Sequence, residues 1–132
     1  MVGRLKAHLF VSTDGPDTDF TAMLLDVRPD GYAANIQDGI TRLRYRHGRG
    51  KPQLVQPGEI VEVDIDLWST AYTFKAGHRL GLYVSSSSFP RFDRNLNVAE
   101  RPPEWTTPRK ATNKVFHDPT HPSYLELPLL NR

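Results

Sequence analysis

The sequence predicts an all-β fold, a β-sandwich with jelly-roll character. Short segments alternate apolar and polar side chains, which is the pattern of a strand that buries one face. Turn-forming Pro, Gly, Asp and Asn residues separate these segments. No segment carries a helical repeat of apolar residues longer than about two turns. Short strands joined by turns are typical of a sandwich or jelly roll.

The length of 132 residues fits a single domain over residues 1–132, since domains commonly have about 100–200 residues. The chain is 38% hydrophobic and 24% charged, and its formal net charge is only +2. Acids and bases are interleaved, so we expect no nucleic-acid partner. No apolar run approaches the ~20 residues of a membrane helix, and we expect no membrane partner. The lack of cysteine excludes disulfides and a cysteine nucleophile, and it fits a cytoplasmic protein.

The first strands show the clearest patterns. Val2–Val11 is predicted as a strand with an apolar face made of Leu5, Ala7, Leu9 and Val11. Phe20–Val27 follows and is apolar enough to be a covered strand. Arg28–Gly31 predicts a tight turn, because proline fixes one φ and Asp-Gly accepts the positive φ that such turns need.

Two shorter strands, Tyr32–Ile36 and Ile40–Arg46, are predicted on either side of an Asp38–Gly39 turn. A basic cluster begins in the second of these strands. We interpret it as a solvated strand face and turn, formed by Arg42, Arg44, Arg46, His47, Arg49 and Lys51.

The segment Glu59–Trp68 has the most regular alternation in the chain. Its apolar residues are Val61, Val63, Ile65 and Leu67, and its acidic residues are Glu62, Asp64 and Asp66. This pattern predicts a half-buried strand with a solvated acidic face. Nothing in the pattern marks these carboxylates as catalytic.

The C-terminal half is less regular. Thr70–Lys75 is predicted as a short turn of helix, and Arg79–Ser85 as a strand. Ser123–Leu130 is predicted as the last strand, at an edge because of its proline. Between them, Phe89–Pro119 is a proline-rich loop, and a loop longer than ~15 residues is usually functional or packed against something.

The sequence carries no recognisable catalytic or metal-binding motif. The G-x-S-x-G motif of α/β-hydrolases is absent, and the cluster Ser85–Ser88 is interpreted as hydroxyls that satisfy backbone groups. His117 and His121 would need a helix to share a zinc ion, and the neighbouring prolines oppose one. A calcium site is the alternative to a turn or polar cap for Asp14, Asp17 and Asp19. We expect no catalytic residue, no metal and no cofactor.

Aromatic side chains gather in and beside the long loop: Trp68, Tyr72, Phe74, Phe89, Phe92 and Trp105. Such residues most often pin a loop onto a core. A flat aromatic platform on a sandwich would instead indicate carbohydrate binding, and aromatics interleaved with arginines could stack nucleic-acid bases. The sequence favours the first interpretation and leaves the other two open.

Five segments carry a resemblance to a known family. They are Leu9–Gly31, Asp38–Arg46, Asp64–Trp68, Phe74–Asn97 (FKAGHRLGLYVSSSSFPRFDRNLN) and Val115–Leu130. In this order they resemble the C-terminal β-sandwich domain of the X-prolyl dipeptidyl-peptidase and cocaine-esterase-like serine hydrolases. The resemblance implies a jelly-roll-like, galactose-binding-like sandwich that packs on an α/β-hydrolase domain. That other domain would supply the Ser-His-Asp triad for ester, amide or X-prolyl peptide hydrolysis.

The resemblance also implies a place for this chain in a larger enzyme. Met1 falls almost at the first strand, so we expect a C-terminal fragment, a separately expressed domain or a gene remnant that lacks the first strand or strands of the sandwich. A sheet edge left open in this way would pair with a second copy or be covered by a rearranged segment. The interface with the hydrolase domain is expected at Phe89, Arg91, Phe92, Asp93, Arg94 and Asn95, because aromatic and arginine side chains are enriched at interface hot spots. The rival interpretation is that the polar members only tie the loop to its own domain.

Two functions therefore remain open. One is the accessory domain of a serine hydrolase, inactive alone. The other is an independent carbohydrate-binding module.

Overall fold

Seven strands and one 3₁₀ turn make up the part of the chain that the computed structural model describes, residues 1–101 and 107–130. In chain order they are β1 Val2–Thr13, β2 Asp19–Val27, β3 Ala33–Arg42, the 3₁₀ turn Leu43–Tyr45, β4 Val61–Ala71, β5 Arg79–Ser85, β6 Asn113–Phe116 and β7 Tyr124–Glu126. None of the described helical segments is long and apolar enough to cross a membrane.

The strands form two antiparallel sheets. In the first sheet, β1 pairs along most of its length with β4 on one side. On its other side β1 pairs with β6 near its end and with β7 near its middle. The second sheet has the order β3-β2-β5. The predicted all-β sandwich is confirmed.

The core lies between the sheets and follows the predicted alternation. Buried side chains come from every second position of three strands: Leu5, Ala7, Leu9 and Val11 of β1, Phe20, Ala22 and Leu24 of β2, and Val63, Ile65 and Leu67 of β4. Full burial of each large side chain contributes about 1.5–3 kcal/mol. The acidic residues of β4 point outward, as predicted, and form cross-strand ion pairs with Arg4, Lys6 and His8.

Strand β3 corrects two predictions. The predicted strands Tyr32–Ile36 and Ile40–Arg46 and the turn between them are one continuous strand that ends at Arg42. Gly39 does not serve a turn: it lets the backbone of β3 approach β4, since an ideal Cβ on Gly39 would lie 2.1 Å from the Asp66 carbonyl oxygen. The turn predicted at Arg28–Gly31 is confirmed, with φ +88° at Gly31 and a hydrogen bond of 2.9 Å from its N–H to the Arg28 carbonyl.

This close approach joins the two sheets along the edge of β4. Thr41 Oγ1 donates to the Asp64 carbonyl at 2.7 Å, and Gln37 Nε2 donates to the Ser69 carbonyl at 2.8 Å. Side chains of β3 thus satisfy backbone carbonyls that an edge strand would otherwise present to another chain. Pairing of a second copy through a sheet edge stays a prediction, and in the described residues β3 and β5 form the two edges of the second sheet.

Further corrections concern the basic cluster and the later elements. Leu43–Tyr45 is a 3₁₀ turn, and Arg44 within it is only 3% exposed, so the solvated face predicted for the cluster is wrong at this residue. The short helix predicted at Thr70–Lys75 does not form, because β4 extends to Ala71. The last strand is shorter than predicted, Tyr124–Glu126 at the edge beside β1.

Candidate functional site

The loop between β5 and β6 carries all six residues expected at a domain interface. The described part of this β5–β6 loop has no regular secondary structure. It crosses the end of the sandwich where β2 begins and β3 ends, and a buried polar cluster holds it there. The cluster is made of Asp17, Asp19, Arg42, Arg44 and Asn95.

Asp17 and Arg44 form the centre of the cluster. Arg44 Nε donates to Asp17 Oδ2 at 2.7 Å, and the Arg44 backbone N–H donates to Asp17 Oδ1 at 2.9 Å. The Asp17 and Arg44 side chains are 0% and 3% exposed. Since a buried charge is tolerated only when it is paired and hydrogen-bonded, each of these groups depends on the other.

The guanidinium of Arg44 also binds the β5–β6 loop directly. Its Nη2 donates to the Val98 carbonyl at 2.6 Å and its Nη1 to the Ala99 carbonyl at 3.1 Å. The three donor nitrogens of the rigid Arg44 guanidinium thus connect the 3₁₀ turn to Asp17 and to the loop. Arginine suits this position because its planar group presents donors in fixed directions.

Asn95 connects the loop to both buried carboxylates. Its Nδ2 donates to Asp17 Oδ2 at 2.9 Å and to Asp19 Oδ1 at 2.8 Å. Arg42 donates to both oxygens of Asp19, at 2.8 and 2.9 Å. The Asp19 hydrogen bonds raise the pKa of Arg42 above its ordinary value, against the opposing effect of burial. Asn95 is therefore a structural anchor that faces its own domain.

Asn97 shapes the next part of the loop. Its φ is +60°, in the left-handed region that asparagine tolerates better than most residues. Its side chain accepts from Thr18 Oγ1 and donates to the Arg109 carbonyl, both at 2.9 Å. Arg109 in turn donates to Asp14 at 2.8 Å. Hydrogen bonds from Arg109, then from the Thr112 backbone, lower the pKa of Asp14 to about 2.

The tip of the loop faces outward. Phe89 is 60% exposed, and the guanidinium of Arg94 lies 5.0 Å from the centre of its ring. Arg91 lies 5.5 Å from the ring of Phe92 and forms an ion pair of 3.0 Å with Asp38 of β3. The tip thus presents aromatic rings stacked with arginines above the second sheet.

An open cleft of about 590 Å³ lies beside this tip. Its lining comes from the start of β2, the end of β3, the following turn and the loop: Asp19, Ile40, Thr41, Arg42, Tyr45, Arg49, Phe92 and Asp93. The cleft combines apolar side chains with charges of both signs.

The six residues expected at an interface therefore fall into two groups, one that contacts the domain itself and one that is exposed. Asn95 points into the polar cluster, as the rival interpretation holds, and the Asp93 carbonyl accepts from Arg42 at 3.5 Å. Phe89, Arg91 and Arg94 are exposed, and Phe92 is half-buried beside the cleft. The interface assignment of these residues stays a prediction.

The other candidate residues have local roles. Asp14, Asp17 and Asp19 bind Arg109, Arg44 and Arg42, and no group of three His, Asp or Glu in the described residues has the geometry of a metal site. His121 binds Asp118 and contacts Phe10 and Phe116 in the turn that precedes β7. In residues 1–101 and 107–130, no hydrogen bond joins a serine hydroxyl to a histidine ring.

The aromatic residues that the structure describes do not stack into one platform. Tyr72 and Phe74 pack edge to face, with ring centres 5.2 Å apart. Trp68, with φ +63°, is exposed near the end of β4, and among the described residues of this set only Tyr72 and Phe74 have their rings in contact. Trp105 lies outside the described residues.

One buried cluster was not predicted. Asp26 of β2 accepts from Tyr72 Oη at 2.7 Å, and His78 Nδ1 lies 2.9 Å from both of its oxygens. The Tyr72 hydrogen bond, opposed by burial and assisted by His78, lowers the pKa of Asp26. The same bond raises the pKa of Tyr72. Asp26 lies 46 positions before Tyr72 and 52 before His78, so no local pattern could have revealed the contact.

Comparison with known proteins identifies the family. Residues 1–126 match the X-Pro dipeptidyl-peptidase C-terminal non-catalytic domain. The cocaine esterase of Rhodococcus sp. (strain MB1 Bresler) is 45% identical over 137 residues, which cover 100% of this chain and 23% of that protein. The chain thus spans about a quarter of the length of this relative.

Solved structures agree. An aminopeptidase from the marine sediment archaeon Thaumarchaeota archaeon superposes with a TM-score of 0.90 at 33% identity, over 98% of this chain and 23% of its own. An α-amino acid ester hydrolase superposes with a TM-score of 0.83 at 30% identity, over 94% and 23%. These comparisons give no support to the carbohydrate-binding alternative. The chain belongs to the family of X-Pro dipeptidyl-peptidase C-terminal non-catalytic domains, which the cocaine-esterase-like hydrolases carry.

Proposed function

We propose that this chain acts as the accessory domain of a serine hydrolase and is inactive alone. It packs on an α/β-hydrolase domain, helps to shape the active site there, and serves hydrolysis of an ester, an amide or an X-prolyl peptide. The observation that carries the proposal is the match of residues 1–126 to a non-catalytic domain of such enzymes. The names of the relatives, an esterase, an ester hydrolase and an aminopeptidase, support this substrate range. A cytoplasmic location stays a prediction.

The exposed tip of the β5–β6 loop supports the proposed packing. The buried cluster fixes the base of the loop, so the tip is presented with little loss of conformational freedom when a partner binds. Phe89 and Arg94 are of the residue types that dominate interface energetics. We therefore propose that Phe89, Arg91, Phe92 and Arg94 contact the hydrolase domain, while Asn95 holds the loop in place.

The purified chain is expected to show no hydrolysis of p-nitrophenyl esters above the buffer rate. The reason is that no G-x-S-x-G nucleophile motif is present in the sequence. Initial rates with and without a serine-directed inhibitor measure this. Turnover that the inhibitor abolishes would contradict the proposal, and Ser85–Ser88 would then be the first positions to replace.

The proposed contact between the loop tip and the hydrolase domain is tested in a full-length enzyme. This enzyme is a chimera, the Rhodococcus esterase with its matching segment replaced by this chain. Phe89→Ala/Arg94→Ala is expected to accelerate thermal inactivation of this chimera roughly tenfold, the effect of losing a moderate interface hot spot. A matched control is Tyr32→Ala/Arg28→Ala, because Arg28 stacks 4.6 Å from the equally exposed ring of Tyr32 in another turn. Equal inactivation of the two double variants would exclude the loop from the interface.

A further inference from the structure

The outer face of the second sheet carries an apolar strip that the described segments cover only in part, since its β2 residues are half-buried and its β5 residue is exposed. The strip consists of Met23, Leu25 and Val27 of β2 and Tyr83 of β5. Successive side chains of a strand point to opposite faces, and the core residues of β2 are Phe20, Ala22 and Leu24. The strip residues therefore point away from the core, and none of them packs against it.

The register of β2 and β5 makes the strip continuous. Tyr83 lies directly opposite Met23 and is 56% exposed, and Gly81 lies opposite Leu25. An ideal Cβ on Gly81 would lie 3.1 Å from Val27 Cγ2 and 3.4 Å from Leu25 Cβ. Val27 and Leu25 thus pack closely beside Gly81, where a larger side chain would have to displace them.

The outer face of the first sheet is charged, in contrast to the apolar strip on the second sheet. There Arg4, Lys6 and His8 of β1 face Asp66 and Asp64 of β4 in cross-strand pairs. An antiparallel sheet with one face in water carries polar residues on that face, as the first sheet does. The apolar strip on the second sheet does not fit a solvated face and is typical of a covered one.

The strip adjoins the proposed interface. Asp38, which lies opposite Met23 on β3, pairs with Arg91 of the β5–β6 loop. Arg79, opposite Val27 on β5, flanks the other end of the strip. The strip and the loop tip therefore belong to one surface, with an apolar centre and arginines at its rim.

We propose that this strip is the main contact surface for the catalytic domain of the serine hydrolase, a step that rests on the function proposed above. The occupant is an apolar patch of that domain, with acidic residues opposite the arginines at the rim. In the relatives, the segment that matches this chain makes up 23% of the length. The remaining part of each of those proteins is large enough to provide a surface that covers the strip. The loop tip then lies at the border of a larger interface.

The test uses the same chimera of the Rhodococcus esterase. Tyr83→Lys places a charge in the strip, and Tyr124→Lys is the matched control, since Tyr124 is 50% exposed on the outer face of the first sheet. The double variant Met23→Glu/Tyr83→Lys places opposite charges on directly paired residues, which protects the sheet itself. The same variants in the isolated chain measure any effect on folding alone.

We expect both strip variants to accelerate thermal inactivation of the chimera by tenfold or more, about the effect of losing one buried aromatic anchor from an interface. Calorimetry should show two unfolding transitions in place of one, with the Tyr124→Lys chimera unchanged.

If the strip variants behave like the control, or change the chimera no more than the isolated chain, the strip is not the contact surface. A dimeric isolated chain that Tyr83→Lys renders monomeric would assign the strip to a second copy and overturn the proposal. An unmodified chimera that is inactive and unfolds in two transitions would instead contradict the proposed function itself.

Discussion

Replacement of Arg44 by methionine is expected to lower the free energy of unfolding by about 3–5 kcal/mol, the usual effect of removing one partner of a buried ion pair. Methionine fills a similar volume but leaves the carboxylate of Asp17, which is fully buried, without its charged partner. It also leaves the Val98 and Ala99 carbonyls without their donors. Arg44→Lys should lie between the wild type and Arg44→Met, because lysine keeps the charge but cannot donate in three fixed directions.

The measurement is urea-induced unfolding, read as the midpoint at constant slope. Arg4→Met is the matched control, since the Arg4 side chain is 82% exposed in its pair with Asp66. Its loss should change stability by less than about 1 kcal/mol. Limited proteolysis adds a second readout, because the released β5–β6 loop should be cleaved faster in the Arg44→Met variant. Equal effects of the two substitutions would show that the buried cluster does not hold the domain together.

The elements that can be predicted from this sequence are those whose pattern is local. The alternation in β1 and β4 predicted both the strands and the buried face, because the period of two in a strand depends only on its own side chains. The turn at Arg28–Gly31 was predicted for the same reason, since its requirement for positive φ is met within the turn.

The predictions were wrong where contacts between residues far apart in the sequence determine the structure. Arg42, Arg44 and Arg46 look like one solvated face, yet Arg44 is buried because Asp17, 27 positions earlier, neutralises it. Asp38–Gly39 looks like a turn, and only the approach of β4 shows why glycine stands there. A single sequence does not show such pairings, which is also why the cluster of Asp26, Tyr72 and His78 was missed.

The candidate site illustrates both cases. Its place in the long loop stays a prediction, made from composition and from the family resemblance. Which of its residues face inward was not predicted, because Asn95 and Asp93 differ from their neighbours only in the partners that the fold brings to them. The apolar character of Phe20–Val27 did indicate a covered strand, and the strip on its outer face accounts for half of that character.

Substitution of Gly39 by alanine is the second change with a large expected effect, a loss of about 3 kcal/mol, at the upper end of the range for overpacking. The new methyl carbon would lie 2.1 Å from the Asp66 carbonyl oxygen and 3.1 Å from Ile65 Cγ2. The first of these neighbours is backbone and cannot rotate away, so β3 and β4 must separate. Separation also weakens the hydrogen bonds of Gln37 and Thr41 that join the sheets. Alanine lowers the conformational entropy of the unfolded chain relative to glycine, which stabilises the folded state by only about 0.4–1 kcal/mol. This gain does not offset the cost of separating β3 from β4.

Gly50→Ala is the control, because no atom lies within 4 Å of an ideal Cβ at Gly50. It should change the free energy of unfolding by no more than about 0.5 kcal/mol. Urea unfolding of both variants gives the comparison, and the difference between them isolates the contact with β4 from the general effect of adding a methyl group. A Gly39→Ala variant as stable as Gly50→Ala would mean that the two sheets are not held at this distance, and the closure of the sandwich along the β4 edge would have to be abandoned.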